Sequence, residues 1–147
     1  MENYYHHSRF NLYLKESQIP ESGLGVYTKD VIPSNTIIDE YLGDVLENGG
    51  GAYVLYVNDK CHIDAYDFPR CYMAMLNDAS HIYKKIIRKK KRRIDITPDG
   101  YYDKNGNLLT NNCEFVFNGN RGFVSSIREI QPDEELFISY GDGYWDK

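Results

Sequence analysis

Two things that small stapled or metal-bound domains depend on are scarce in this chain. It has three cysteines in 147 residues, Cys61, Cys71 and Cys113, an odd number with no CxxC spacing. Cys61 and His62 are adjacent, which suits no tetrahedral zinc set, so no metal site is expected. The N-terminus "MENYYHHSRF" has no secretory apolar region, and the thiols are therefore expected to be reduced and partly buried. No apolar run approaches the length that spans a bilayer, and no long internal repeat is present. The expectation is an intracellular protein with no membrane partner.

What the chain does have is an uneven charge distribution. Hydrophobic residues make up 41%, charged residues 27%, and mean hydropathy is −0.59, values of a soluble globular protein with one core. The net charge is −5, yet residues 81–110 carry nine Lys or Arg against three Asp. The remainder holds eight basic and nineteen acidic residues, an acidic body that would attract a basic substrate. The run Lys84–Arg93 has eight cations in ten residues. It reads as a solvated face, a contact to nucleic-acid phosphates or a nuclear localisation signal. No aromatics are interleaved in it, so base stacking is not suggested.

Short β-branched and aromatic runs recur between turn signals: "GVYTKDVI", "TIIDEYLGDVL", "AYVLYVN", "CEFVFN", "GFVSSI" and "ELFISY". The breakers between them are "IPSN", "ENGGG", "FNGNRG" and "IQPDEE". This pattern predicts a mostly-β domain of short strands with short helices, an α+β fold. The helical stretches are expected near "PRCYMAMLNDAS" and "HIYKKIIRKKKRR", and "YYDKNGNLL" reads as a hairpin tip built on Asn-Gly.

Four stretches carry the chemistry only when taken together. "GLG" at Gly23–Gly25 precedes a strand, a Pro-containing turn and "EYLG" at residues 40–43; "CYMAMLND" ends in Asn77-Asp78; "NCEF" follows the basic insert; "DEELFISYGDGYW" closes the chain. Singly each is weak. A GxG that opens no helix is not the dinucleotide fingerprint, and Tyr41 alone is an ordinary half-buried strand residue.

In this order, with "IDA" at residues 63–65, the segments resemble the SET domain of protein-lysine methyltransferases, including small stand-alone and viral members. The likeness covers residues 17–147, with residues 1–16 as an N-terminal extension and a basic insert at about 81–110. It implies a fold of small curved sheets in which the C-terminal segment threads under the Asn77 loop as a pseudoknot. It also implies transfer of methyl groups from S-adenosylmethionine to a lysine of a basic protein, with a histone as the first candidate. Tyr140 resembles the family's catalytic tyrosine and Tyr41 a second tyrosine that orients the amine. Ser22, Gly23, Leu24 and Gly25 resemble the loop that receives the cofactor's amino-acid end, where a side chain would obstruct. Tyr53, Asn77, Asp78, Tyr140 and Trp145 resemble further cofactor contacts. Ile138, Tyr140 and Tyr144 join Tyr41 along the lysine channel.

The chain departs from the family pattern in several ways. Asp78 stands where relatives carry histidine. About thirty residues separate the Asn77 loop from "NCEF" where relatives have a few, and the insert so formed suggests a contact to nucleosomal DNA through Lys84–Arg93. The cysteine-rich zinc modules that flank many relatives are absent, so the tail, the insert or a second protomer in a homodimer would close the channel. Ile138 stands where relatives have Tyr or Phe, which implies a channel open to di- or trimethylation. The competing class is a non-catalytic SET-like module that binds chromatin or nucleic acid.

Overall fold

The computed structural model describes residues 9–20, 22–47, 53–67, 70–80, 96–97, 100–102 and 106–140. Among the described residues, twelve strands form four three-stranded sheets, and every pairing inside them is antiparallel. In the first sheet β2 (Leu24–Thr28) lies between β1 (Leu12–Glu16) and β12 (Glu135–Leu136). In the second β11 (Arg121–Ser126) lies between β10 (Cys113–Asn118) and β3 (Ile37–Tyr41). The third sets β6 (Cys61–Asp64) between β4 (Asp44–Leu46) and β5 (Val54–Asn58). The fourth, β7 (Ile96–Thr97), β8 (Gly100–Tyr102) and β9 (Leu108–Thr110), belongs to the basic insert.

Apolar side chains of the first two sheets build the core. Val26, Ile38, Val124 and Leu136 are wholly buried with Ile32 and Ile130, which pair across an isolated antiparallel bridge. The sequence breakers became turns with left-handed residues: Asn35 in "IPSN" at φ 55° and Asp133 in "QPDEE" at φ 65°. Asn and Asp tolerate that region because their short side chains can bond locally. Gly119 (φ 63°) supplies the same freedom in the two-residue turn that joins Asn118 to Arg121.

Helix is almost missing among the described residues. "PRCYMAMLNDAS" contains one turn of 3-10 helix, Tyr72–Met75, with Cys71 and Leu76 extended at its ends and buried. Its apolar residues serve as a plug between sheets, so tertiary burial sets their conformation rather than helical propensity. The helix expected over "HIYKKIIRKKKRR" lies outside the described residues, and none of the described helices is long and apolar enough to cross a membrane. β8 and β9 pair as the hairpin expected there, with Tyr102 opposite Leu108, while Asn105 of the Asn-Gly pair lies outside the described residues. Gly106 of that pair takes φ 83°. All three cysteines are free and buried, and burial pushes the Cys71 and Cys113 thiols up.

The C-terminal strand segment runs beside two segments distant in sequence. Phe137 forms a parallel bridge to Asn77, and Ile138 forms another to Cys113. Asn112 secures this crossing: its side-chain carbonyl accepts from Phe137 N at 2.8 Å and its amide donates to Glu135 O at 2.9 Å. Residues 77, 113 and 137–138 therefore meet where the site lies.

Candidate active site

The first wall is the turn between β1 and β2. Ser17 N donates to Gly23 O at 2.8 Å, and Gly23 adopts φ 67° with open space where a side chain would begin. Asn77 Nδ2 donates to Leu24 O at 3.1 Å and ties this turn to the segment after the 3-10 helix. Gly25 has another reason to be glycine. A Cβ there would collide with the Glu135 carboxylate and press on Asn77, and Gly25 does not line the cavity.

The second wall follows Ile138 to Tyr140. Ile138 N donates to Asn77 O at 2.9 Å, which holds the two segments side by side. Tyr140 is anchored at both ends: its hydroxyl donates to Leu76 O at 2.7 Å and its backbone N–H donates to Asp78 Oδ2 at 3.0 Å. Asp78 is buried, and its other oxygen accepts from Ser80 N at 2.9 Å, Ser80 Oγ at 2.5 Å and Asn111 Nδ2 at 3.2 Å. Its carboxylate is engaged in holding the Tyr140 backbone and does not line the cavity.

The third wall is aromatic. Tyr41 donates its hydroxyl to Tyr53 O at 2.6 Å, and the same carbonyl accepts from Ala65 N at 2.9 Å. Phe115 meets the Tyr41 ring edge-on, with centroids 6.1 Å apart. Burial, aided by nearby Cys71 and Asp64, pushes the Tyr41 phenol well above its ordinary range. It therefore stays protonated and keeps its bond to Tyr53 O.

These walls enclose a cavity of about 890 Å³, within the size range of small-molecule sites. Of the residues singled out in the sequence, Ser22, Gly23, Leu24, Tyr41, Tyr53, Asn77, Ile138 and Tyr140 all line it. Gly25 and Asp78 stand behind its walls, while Tyr144, Trp145 and Lys84–Arg93 lie outside the described residues.

Several lining residues were not expected from the sequence, among them Phe115, Phe117, Met73, Met75 and Arg70. Phe115 is the aromatic of "NCEF", so the motif marked it without revealing its direction. Arg70 had no signal of its own. It is buried, with its guanidinium 3.7 Å from the Tyr53 ring centre and donating to Ala65 O at 3.1 Å and Tyr66 O at 2.7 Å. Such stacking depends on residues brought together by the fold.

A fold of small antiparallel sheets, with this cavity where the C-terminal strand crosses the Asn77 segment, defines a class of β-rich domain. The family model of the SET domain matches residues 23–141, and the chain belongs to that family. Its members are generally lysine methyltransferases that use S-adenosylmethionine. No match was found among curated proteins.

Proposed function

We propose that this chain is a protein-lysine N-methyltransferase that moves methyl groups from S-adenosylmethionine to a lysine of a basic protein, with a histone the first substrate to test. The observation that carries the reading is convergence: two anchored tyrosines, Tyr41 and Tyr140, share one cavity with the Gly23 turn and Asn77. The parallel bridges at Asn77 and Cys113 support a C-terminal segment threaded as a pseudoknot.

The residues present fit the cofactor. The left-handed Gly23 turn is open where a side chain would stand, and an amino-acid end can approach its backbone. Aromatic and thioether side chains nearby suit an adenine ring and a sulfonium. Bound there, S-adenosylmethionine would supply a methyl carbon made electrophilic by its positive sulfur. Ser22, Gly23, Leu24, Tyr53 and Asn77 would hold it.

The chain's own task is to present the lysine as a neutral, aligned amine. A lysine ammonium in water loses its proton only near pH 10, at a pKa of roughly 10.4, and it has no lone pair until it does. A proton must therefore leave to water before attack. Tyr41 and Tyr140 each commit their single hydroxyl proton to a backbone carbonyl. Toward an incoming amine their oxygens act as acceptors, which hold its N–H groups and direct its lone pair. An amine held in this way would be aligned with the methyl carbon that the bound cofactor would supply. Alignment of this kind is worth effective molarities on the order of 10⁵ M or more. No strong base is required, which agrees with a Tyr41 phenol kept neutral by burial.

The deciding experiment is titration calorimetry with S-adenosylmethionine, followed by a lysine-peptide array read by mass spectrometry. Saturable binding and stepwise single-methyl mass additions on defined lysines are the expected results. Absence of heat at high micromolar cofactor would favour a non-catalytic SET-like module.

Methyl number is expected to depend on Ile138. It is buried, lines the cavity and lies two residues before Tyr140. Its side chain offers no hydroxyl to hold a water and less bulk than an aromatic, so the reading includes di- or trimethylation. Ile138→Tyr should shift products toward monomethyl-lysine, and Ile138→Phe separates bulk from the hydroxyl. An unchanged product distribution in both variants would remove this role.

A further inference from the structure

Glu135 is wholly buried, and the partners of its carboxylate among the described residues are neutral donors. One oxygen accepts from Gln18 N at 2.9 Å and the Gln18 amide at 3.4 Å, and it lies 3.2 Å from Tyr27 OH, whose one proton is shared with Glu16 O at 2.7 Å. The other accepts from Ser17 Oγ at 2.7 Å and lies where a Cβ on Gly25 would be. Burial and the adjacent carboxylate push the Tyr27 phenol up, so this donor stays protonated. Such a desolvated carboxylate is retained only where its lone pairs are satisfied.

The geometry leads from this carboxylate to the cavity in two short steps. Glu135 holds Ser17, and Ser17 N donates to Gly23 O. Ser17 Oγ also accepts from Ile19 N at 3.1 Å, which closes the turn ahead of Ser22. The same carboxylate oxygen that accepts from Ser17 fills the space beside Gly25. Gly25 has no left-handed φ, unlike Gly23, so its backbone does not demand glycine.

We infer that Glu135 is the positioning residue of the Ser22–Gly25 turn, and that its carboxylate, rather than backbone strain or a ligand, makes glycine necessary at position 25. The inference rests on the reading of that turn as the cofactor's site. Glu135 sets where the turn's backbone stands and thus how well the cofactor's amino-acid end is received. It acts through Ser17 and Gly25 and touches no reacting atom.

The pair can be tested by compensation. Gly25→Ala alone should weaken S-adenosylmethionine binding about 10- to 100-fold, the scale of one overpacked methyl group. Glu135→Asp withdraws the carboxylate by one methylene, and in the double variant binding should recover most of that loss. With peptide substrate, Glu135→Asp should raise KM for the cofactor more than it lowers kcat. Ser17→Ala, which removes one donor without a void at Glu135, should shift KM in the same direction and guards against a poorly folded Glu135 variant. Hydrogen exchange at Ser22–Leu24 should show lost protection in Gly25→Ala and recovery in the double variant. A double variant no better than Gly25→Ala, in both binding and exchange, overturns the coupling. If the unaltered protein binds no cofactor, the reading of the site fails, while the exchange series still decides the inference.

Discussion

Tyr140→Phe is expected to lower kcat by on the order of 10²–10⁴, with cofactor affinity changed far less. The substitution keeps the ring and its packing against the core but deletes an oxygen that can accept from the target amine. It also deprives Leu76 O of its hydroxyl donor at 2.7 Å. That second loss is a local stability effect of about 1 kcal/mol, too small to explain the rate effect. The two consequences are separable. Thermal unfolding reports the lost hydrogen bond, whereas single-turnover methylation at saturating cofactor reports the lost alignment. Tyr41→Phe provides the comparison: it breaks the 2.6 Å bond to Tyr53 O and removes the other acceptor. If Tyr140→Phe methylates peptide nearly as fast as the unaltered protein, its oxygen does not direct the amine and the proposed mechanism is wrong.

The second large effect falls on Asp78, a buried carboxylate that holds the Tyr140 backbone. Its buried carboxylate accepts from Ser80 N, Ser80 Oγ, Asn111 Nδ2 and Tyr140 N. Asp78→Ala removes all four acceptor contacts at once. Each buried donor left unsatisfied costs about 1–3 kcal/mol, so a loss of ~3 kcal/mol or more is expected. For a domain of this size that lowers Tm by about 10 °C. Asp78→His should be nearly as harmful, because a neutral imidazole has one acceptor where the carboxylate serves four donors. Asp78→Asn should be intermediate. Since one of the lost contacts is to the Tyr140 backbone, methyl transfer should fall in all three variants even below their melting temperatures. Paired thermal denaturation and activity measurements check this. Full activity in a destabilised Asp78→Ala protein would show that Tyr140 is held adequately by Leu76 and the strand alone.

The carboxylate at position 78 is thus matched to its surroundings. Asp78 is integrated into a network with Asn111 from the segment after the insert and Ser80 two residues on. The family resemblance sets Asp78 among the cofactor contacts. In the structure its carboxylate turns toward the support of Tyr140, a direction that no spacing rule specifies.

Much of the architecture was legible from local patterns. β-branched and aromatic runs marked β2, β3, β5, β10 and β11, and Pro, Gly, Asn and Asp marked the turns between them. These signals are local because strand alternation and left-handed φ are properties of a few neighbouring residues. The short helix was over-read, since the apolar spacing in "CYMAML" fits a buried plug as well as an amphipathic turn. Arg70 was missed for the opposite reason: nothing near it in sequence announces that it stacks on Tyr53.

The sequence by itself determined the family, through the order of "GLG", "EYLG", "LND", "NCEF" and "DEEL…YGDGYW", and it named eight of the residues that line the cavity. Tertiary structure alone decided what supports them. Gly25 is glycine because of Glu135, Asp78 serves Tyr140, and Asn77 binds the Gly23 turn. The partners in these pairs lie tens of residues or more apart in the chain. Their contacts exist only after loop closure has brought distant segments together, so no local pattern can encode them.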